Sequence, residues 1–159
     1  MADNSVSFRS FNFPDRFIRH KNFLGELEPI SSNLDRLDAT FIFHPGLAFT
    51  GGGGGTASWE SRNFPGHWLR HQNFRLVLNK RPPDGSPELE LFDKDATFFI
   101  VDGLANNSGR NKSFRSVNFN NRMLRHRDFH VFLDEVDPSR DIDRKDATFE
   151  VRDGFVPQD

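Results

Sequence analysis

Residues 7–23 read SFRSFNFPDRFIRHKNF, residues 58–74 read SWESRNFPGHWLRHQNF, and residues 113–129 read SFRSVNFNNRMLRHRDF. They align without gaps at offsets of 51 and 55 residues, and seven of the seventeen columns are identical: Ser, Ser, Asn, Phe, Arg, His and Phe. Chance does not produce such agreement, so the chain is a threefold internal repeat. A second block follows each first one: DATFIFHPGLA from Asp38, DATFFIVDGLA from Asp95 and DATFEVRDGFV from Asp146. The repeated His and this Asp are 18, 24 and 20 residues apart, so the variation lies between the blocks, as for a loop over a fixed frame.

Each copy predicts four short strands. In the first copy they cover Val6–Phe11, Arg16–Phe23, Glu26–Ile30 and the DATF block. The third is matched by Leu76–Lys80 and Val131–Val136. In the fourth, Ala39, Phe41 and Phe43 alternate with Asp38, Thr40 and Ile42, the period of two that marks a half-buried strand. No segment shows a helical period, so no helix is expected. Four strands in each of three copies make twelve, which fits an all-β protein of the β-trefoil class, six strands forming a barrel and six capping it. A three-bladed propeller has the same count but falls below the usual four to eight blades. The repeats are expected at approximately 5–50, 56–106 and 111–155 of a single domain over residues 1–159. Gly51–Gly55 falls between copies one and two and reads as a flexible loop, since no Lys-Ser/Thr partner of a phosphate cradle follows it.

Composition narrows the function. A chain of 159 residues with 35% apolar content suffices for one core. The net charge is −2, with 21 basic and 23 acidic residues spread along the chain, and there is no basic stripe for a nucleic-acid partner. No apolar run is long enough to span a bilayer, so no membrane partner is expected. The opening MADNSVSF lacks the basic flank and apolar stretch of a secretory signal. With no cysteine there are no disulfides, and the compartment stays open. A module excised from an enzyme works outside the cell, whereas a chain complete as given works in the cytoplasm. Oligomeric state is not legible. Nineteen Phe and two Trp with no Tyr read most simply as core, with most of the rings buried.

The repeated polar residues carry what chemistry there is. Ser and Asn beside the first turn read as local hydrogen bonders. Arg19, Arg70 and Arg125 precede the repeated His and are expected to project to the opposite face, toward an ion pair or a carbonyl. A sugar hydroxyl both donates and accepts, so a sugar site needs an accepting carboxylate, an imidazole and an apolar ring for the CH face. Each copy supplies that set: His20, Asp38 and Phe23; His71, Asp95 and Phe74; His126, Asp146 and Phe129. The same His and Asp would equally serve to brace the barrel wall, and strand parity does not decide between the two.

Catalysis is not expected. Glycoside hydrolysis generally needs two carboxyl groups, and only the DATF Asp is common to all copies; Asp35 or Asp143 would have to supply the second in one copy. A Ser–His–Asp triad lacks a nucleophile-elbow context. The repeated His residues stand alone, without the cluster that a metal requires, so neither metal nor cofactor is expected.

The pattern SFRSxNFxxRFIRHxNF followed by DATF resembles the arabinose-binding domain of α-L-arabinofuranosidase B, carbohydrate-binding module family 42, over roughly residues 5–155. That resemblance implies a β-trefoil with one pocket per repeat, binding arabinofuranose side chains of hemicelluloses such as arabinoxylan and arabinan. It also implies that His20 with Asp38, His71 with Asp95, and His126 with Asp146 hydrogen-bond the sugar, with Asn22 and Asn73 as secondary contacts. Copy three departs with Asp128 in place of Asn and a charged loop at Asp134–Lys145, and copy two with a proline-rich insert at Arg81–Pro87. A trefoil lectin for another sugar such as galactose, and a structural or protein-interaction trefoil, are the alternatives.

Overall fold

A computed structural model of the chain describes residues 3–48 and 55–158. Of the glycine run only Gly55 falls among them; the expected loop at residues 51–54 lies outside the described residues. The first copy contributes β1 (Ser5–Ser10), β2 (Phe17–Lys21), β3 (Leu24–Glu28), α1 (Asn33–Asp38) and β4 (Phe41–Pro45). The second contributes β5 (Thr56–Ser61), β6 (His67–Gln72), β7 (Arg75–Lys80), α2 (Leu89–Asp95) and β8 (Phe98–Asp102). The third contributes β9 (Asn111–Ser116), β10 (Met123–Arg127), β11 (His130–Asp134), α3 (Asp141–Asp146) and β12 (Phe149–Asp153).

Six strands close a ring. β1 pairs with β4, β4 with β5, β5 with β8, β8 with β9, β9 with β12, and β12 with β1 again. The other six form three hairpins, β2–β3, β6–β7 and β10–β11, whose second strands touch pairwise round a pseudo-threefold axis. This is the β-trefoil, and ring closure leaves the barrel without an open edge.

The barrel is filled by the equivalent positions of the repeats. Phe8, Trp59 and Phe114 meet edge to face, with centroids 4.9–5.5 Å apart, across the interior. Phe41, Phe98 and Phe149 form the next set, and Ile18, Leu69 and Leu124 lie in the cap, all buried. Burying each such side chain contributes roughly 1.5–3 kcal/mol.

Three corrections follow. The first concerns helices: among the described residues there are three short ones, and Asp38, Asp95 and Asp146 are their last residues rather than the first residues of a strand. In each DAT triplet, Asp ends the helix, Ala caps it, and the Thr hydroxyl donates to the carbonyl four residues back (Arg36, Asp93, Arg144) at 2.7–2.8 Å. Six or seven residues are fewer than two turns, too few to print a 3.6-residue period. The second concerns the third strand, which begins at Leu24, two residues earlier than expected, because a two-residue turn rather than a longer loop precedes it. The third concerns the Phe rings: among the described residues only six are buried, and seven stand exposed.

Candidate functional site

The turn between β2 and β3 is Asn22-Phe23, with φ of 54° and 62°; Asn73-Phe74 and Asp128-Phe129 repeat it. Positive φ at both central residues is the type I′ hairpin turn, whose second position ordinarily favours glycine. A Phe there is unfavourable by roughly 1–2 kcal/mol relative to glycine. Neighbouring repeats hold the turn: the carbonyls of Phe23, Phe74 and Phe129 accept from the amides of Leu78, Leu133 and Leu27 at 2.8–2.9 Å. Three aromatic rings are thereby fixed at the surface on a backbone that does not favour them.

Beneath each ring lies a polar network. Nε2 of His20 donates to Oδ1 of Asn63 at 2.9 Å, and Nδ2 of Asn63 donates to Oδ1 of Asp38 at 2.8 Å. His71–Asn118–Asp95 and His126–Asn12–Asp146 repeat it, every link at 2.9 Å. Imidazole and carboxylate themselves converge to 3.4–3.5 Å in all three copies. The second carboxylate oxygen accepts from Arg19, Arg70 or Arg125. This corrects the expectation that the Arg side chains point away. Parity fixes the direction of Cβ, but the long side chain turns back along the strand, and Nε of Arg19 and of Arg125 donates to the carbonyl of the adjacent His at 3.2 Å.

His20 and Asp38 are only 3% and 5% exposed, so they form a floor rather than a rim. Burial pushes the imidazoles of His20, His71 and His126 below their ordinary pKa, while the neighbouring Asp carboxylate pulls the other way. Each ring is accordingly neutral at pH 7, with Nε2–H donating.

Above the first floor is a cavity of about 360 Å³ lined by Arg19, His20, Asn22, Phe23, Leu34, Asp38 and Phe64, with Lys21 at its edge. Above the second is one of about 330 Å³ lined by the equivalent residues, including His71, Asn73, Phe74, Leu91, Asp95 and Phe119. In the third copy Arg125, His126, Asp146, Phe129 and Phe13 hold the equivalent places, Phe129 and Phe13 at 5.3 Å, while Arg127, Asp128 and Ile142 stand where the first copy has Lys21, Asn22 and Leu34. Among the described residues, nine of the eleven exposed large apolar ones belong to these three rims: Phe23, Phe74 and Phe129; Phe64, Phe119 and Phe13; Leu34, Leu91 and Ile142. Clustered exposed apolar surface of this kind is what interaction sites characteristically carry.

All eleven residues singled out from the sequence fall at these three places. Missed were Asn12, Asn63 and Asn118, read only as turn residues, together with Phe13, Phe64 and Phe119 and the helix-borne Leu34, Leu91 and Ile142. The Asn and Phe signals were present, since both columns are invariant in the repeat. Ser10, Ser61 and Ser116 do act locally, each hydroxyl donating to the Asn side chain two residues on at 2.9–3.2 Å.

A trefoil with the same polar floor and apolar rim at three pseudo-equivalent places is the class of protein that this fold and site define. Residues 6–151 match the model of the alpha-L-arabinofuranosidase B (ABFB) domain, and the chain belongs to that family. It is 31% identical over 160 residues to alpha-L-arabinofuranosidase B of Emericella nidulans, covering 96% of this chain and 30% of that protein. A probable alpha-L-arabinofuranosidase B of Aspergillus clavatus is 40% identical over 88 residues, 55% of this chain and 15% of that one. Among solved structures, a GH54 arabinofuranosidase soaked with a cyclic sulfate inhibitor superposes with a TM-score of 0.80 at 27% identity, over 98% of this chain and 32% of that one. The chain thus spans about a third or less of the length of these relatives.

Proposed function

We propose that this chain is a non-catalytic carbohydrate-binding module that holds arabinofuranosyl side chains of hemicellulose, arabinoxylan or arabinan, in up to three equivalent pockets. The observation that carries the reading is the strained turn: an exposed Phe ring kept on positive-φ backbone directly over a His–Asn–Asp floor, three times. The polar floor offers a carboxylate acceptor and amide and imidazole donors to sugar hydroxyls, and the rings cover a CH face. His20 with Asp38, His71 with Asp95, and His126 with Asp146 would make the polar contacts; Phe23, Phe74 and Phe129 would make the apolar ones, with Asn22 and Asn73 beside them.

The lining supports binding over hydrolysis. Each of the two cavities holds one carboxylate, Asp38 or Asp95, already paired with an arginine. Asp35, the second acid considered, is held well below the usual carboxylate range by backbone N–H groups of Ser31 and Ser32 at the start of α1. An acid held ionised in this way is a poor proton donor for hydrolysis.

One small-sugar site binds near millimolar, about −4 kcal/mol, and three on one rigid frame gain on the order of a hundredfold on a polymer. Affinity electrophoresis in arabinoxylan against unsubstituted xylan tests the reading. Retardation in arabinoxylan alone is expected, and equal mobility in the two gels would remove it.

A further inference from the structure

The three sites share a plan but not a charge. Arg19 forms ion pairs with Glu28, Asp35 and Asp38, and Arg125 with Asp134, Asp143 and Asp146. In the second repeat, the positions of Glu28 and Asp35 hold Asn79 and Phe92. Among the described residues Arg70 therefore forms an ion pair only with Asp95, while its Nη1 donates to Oδ1 of Asn79 at 3.4 Å; its guanidinium lies 4.9 Å from the Phe92 ring, and its buried Nε has no hydrogen-bond partner there.

The rim changes in the same direction. Phe23 is stacked by His67 of the next repeat, but Phe74 carries the Arg122 guanidinium 3.8 Å from its centroid. Arg122 donates through Nη1 to the carbonyl of Leu133 at 3.2 Å, and among the described residues no carboxylate lies within ion-pair distance of it. Gln72 stands where the first pocket has Lys21. Counting the groups that touch the pocket arginine and the rim ring, together with position 21, the second site has two carboxylates and one cation fewer than the first and one cation more, a shift of two unit charges toward positive. The third pocket also has an arginine, Arg16, on its Phe129, but Asp128 stands beside that ring.

We propose that the pocket of the second repeat selects a sugar unit bearing a carboxylate, a uronate, relative to the other two pockets. This rests on the carbohydrate-binding reading above. The free edge of Arg122 is a planar fork that matches a carboxylate, and Phe74 fixes its plane before the ligand arrives. Two unit charges at about 8 Å in a largely aqueous rim favour an anion by about five- to tenfold, less at high salt.

Nuclear magnetic resonance titration of the labelled chain separates the sites. The probes are a neutral arabinose-substituted xylo-oligosaccharide and the same oligosaccharide carrying one glucuronate, read at the backbone amides of Phe23, Phe74 and Phe129. The acidic probe is expected to saturate Phe74 at about five- to tenfold lower concentration than the neutral one, with no such gap at Phe23 or Phe129. The gap should close in Arg122→Gln and, in the unaltered chain, at about 0.5 M salt. Equal midpoints at Phe74, or one gap common to all three turns, would overturn the inference while leaving sugar binding intact. No response to either probe would remove sugar binding and this inference together.

Discussion

Nε2 of His20 and Oδ1 of Asn63 stand 2.9 Å apart although 43 residues separate them. One belongs to the cap hairpin of the first repeat and the other to the turn after the first barrel strand of the second. The last repeat closes on the first in the same way, through His126 and Asn12. Each pocket is therefore built by two repeats, and no repeat carries a complete one. The strand pairs β4–β5, β8–β9 and β12–β1 fix the distance between the halves.

Replacing Asn63 with Ala removes the amide that joins imidazole to carboxylate and leaves two buried polar groups facing each other. The cost of such unsatisfied groups is about 1–3 kcal/mol. Urea unfolding should show that loss, and the amide of Phe23 should no longer respond to sugar while that of Phe74 does. An unchanged unfolding midpoint would mean that the bridge contributes nothing to the frame.

Phe23→Gly separates binding from stability. Glycine relieves the positive-φ cost of roughly 1–2 kcal/mol and gives up a ring that is 49% exposed, so the two effects oppose each other. Calorimetry should show a stability change of less than about 1 kcal/mol, against about 3–5 kcal/mol for Phe41→Ala in the core. Retention on arabinoxylan should fall for the triple variant Phe23→Gly, Phe74→Gly, Phe129→Gly. A strongly destabilised Phe23→Gly would show that the rings serve the fold.

Much of this was legible in the sequence because the repeat did the work of an alignment. The seven invariant columns include His20, Asn12, Phe13 and Phe23, and all four belong to the three His–Asn–Asp sites or their rims. The barrel strands were legible for the same reason, as Phe41 and Phe43 alternate with Ile42. What escaped was the partnership of Asn63 with a histidine in another copy. A gapless repeat shows which residues are equivalent but not which copies touch. The helices escaped because α1 spans only six residues, and its Leu34 is exposed rather than part of an apolar stripe. The Phe count misled because composition cannot distinguish Phe41, fully buried, from Phe64, 40% exposed.

Acid should loosen the fold in a defined window. His20, His71 and His126 are held below the ordinary value of 6.5 by burial, whereas the unfolded chain takes up protons near that value. Between the two the unfolded state binds more protons, so stability rises with pH there. The contribution is complete above about pH 6.5 and is lost as the pH falls below it toward the depressed folded values. Urea midpoints should be level between about pH 7 and 8 and decline from about 6.5 to 5. Replacing the three imidazoles with Gln should flatten that decline, and a decline that survives the replacement must come from carboxylates.

Where the three hairpins meet on the pseudo-threefold axis, the equivalent residues are Gly25, Leu76 and Val131, and the strict repeat breaks down. A Cβ on Gly25 would lie 2.9–3.0 Å from the Leu76 side chain, so the axis has room for one leucine but not for two. Gly25→Leu should therefore overpack it and cost about 1–3 kcal/mol. Leu76→Gly should leave a cavity and cost about 2–5 kcal/mol. Combined, the two exchange the residues between repeats and restore the volume. The double variant should recover about 1–3 kcal/mol relative to the sum of the single losses, the coupling expected of side chains that fill one space. Strict additivity in the urea midpoints would mean that Leu76 does not occupy the room Gly25 leaves.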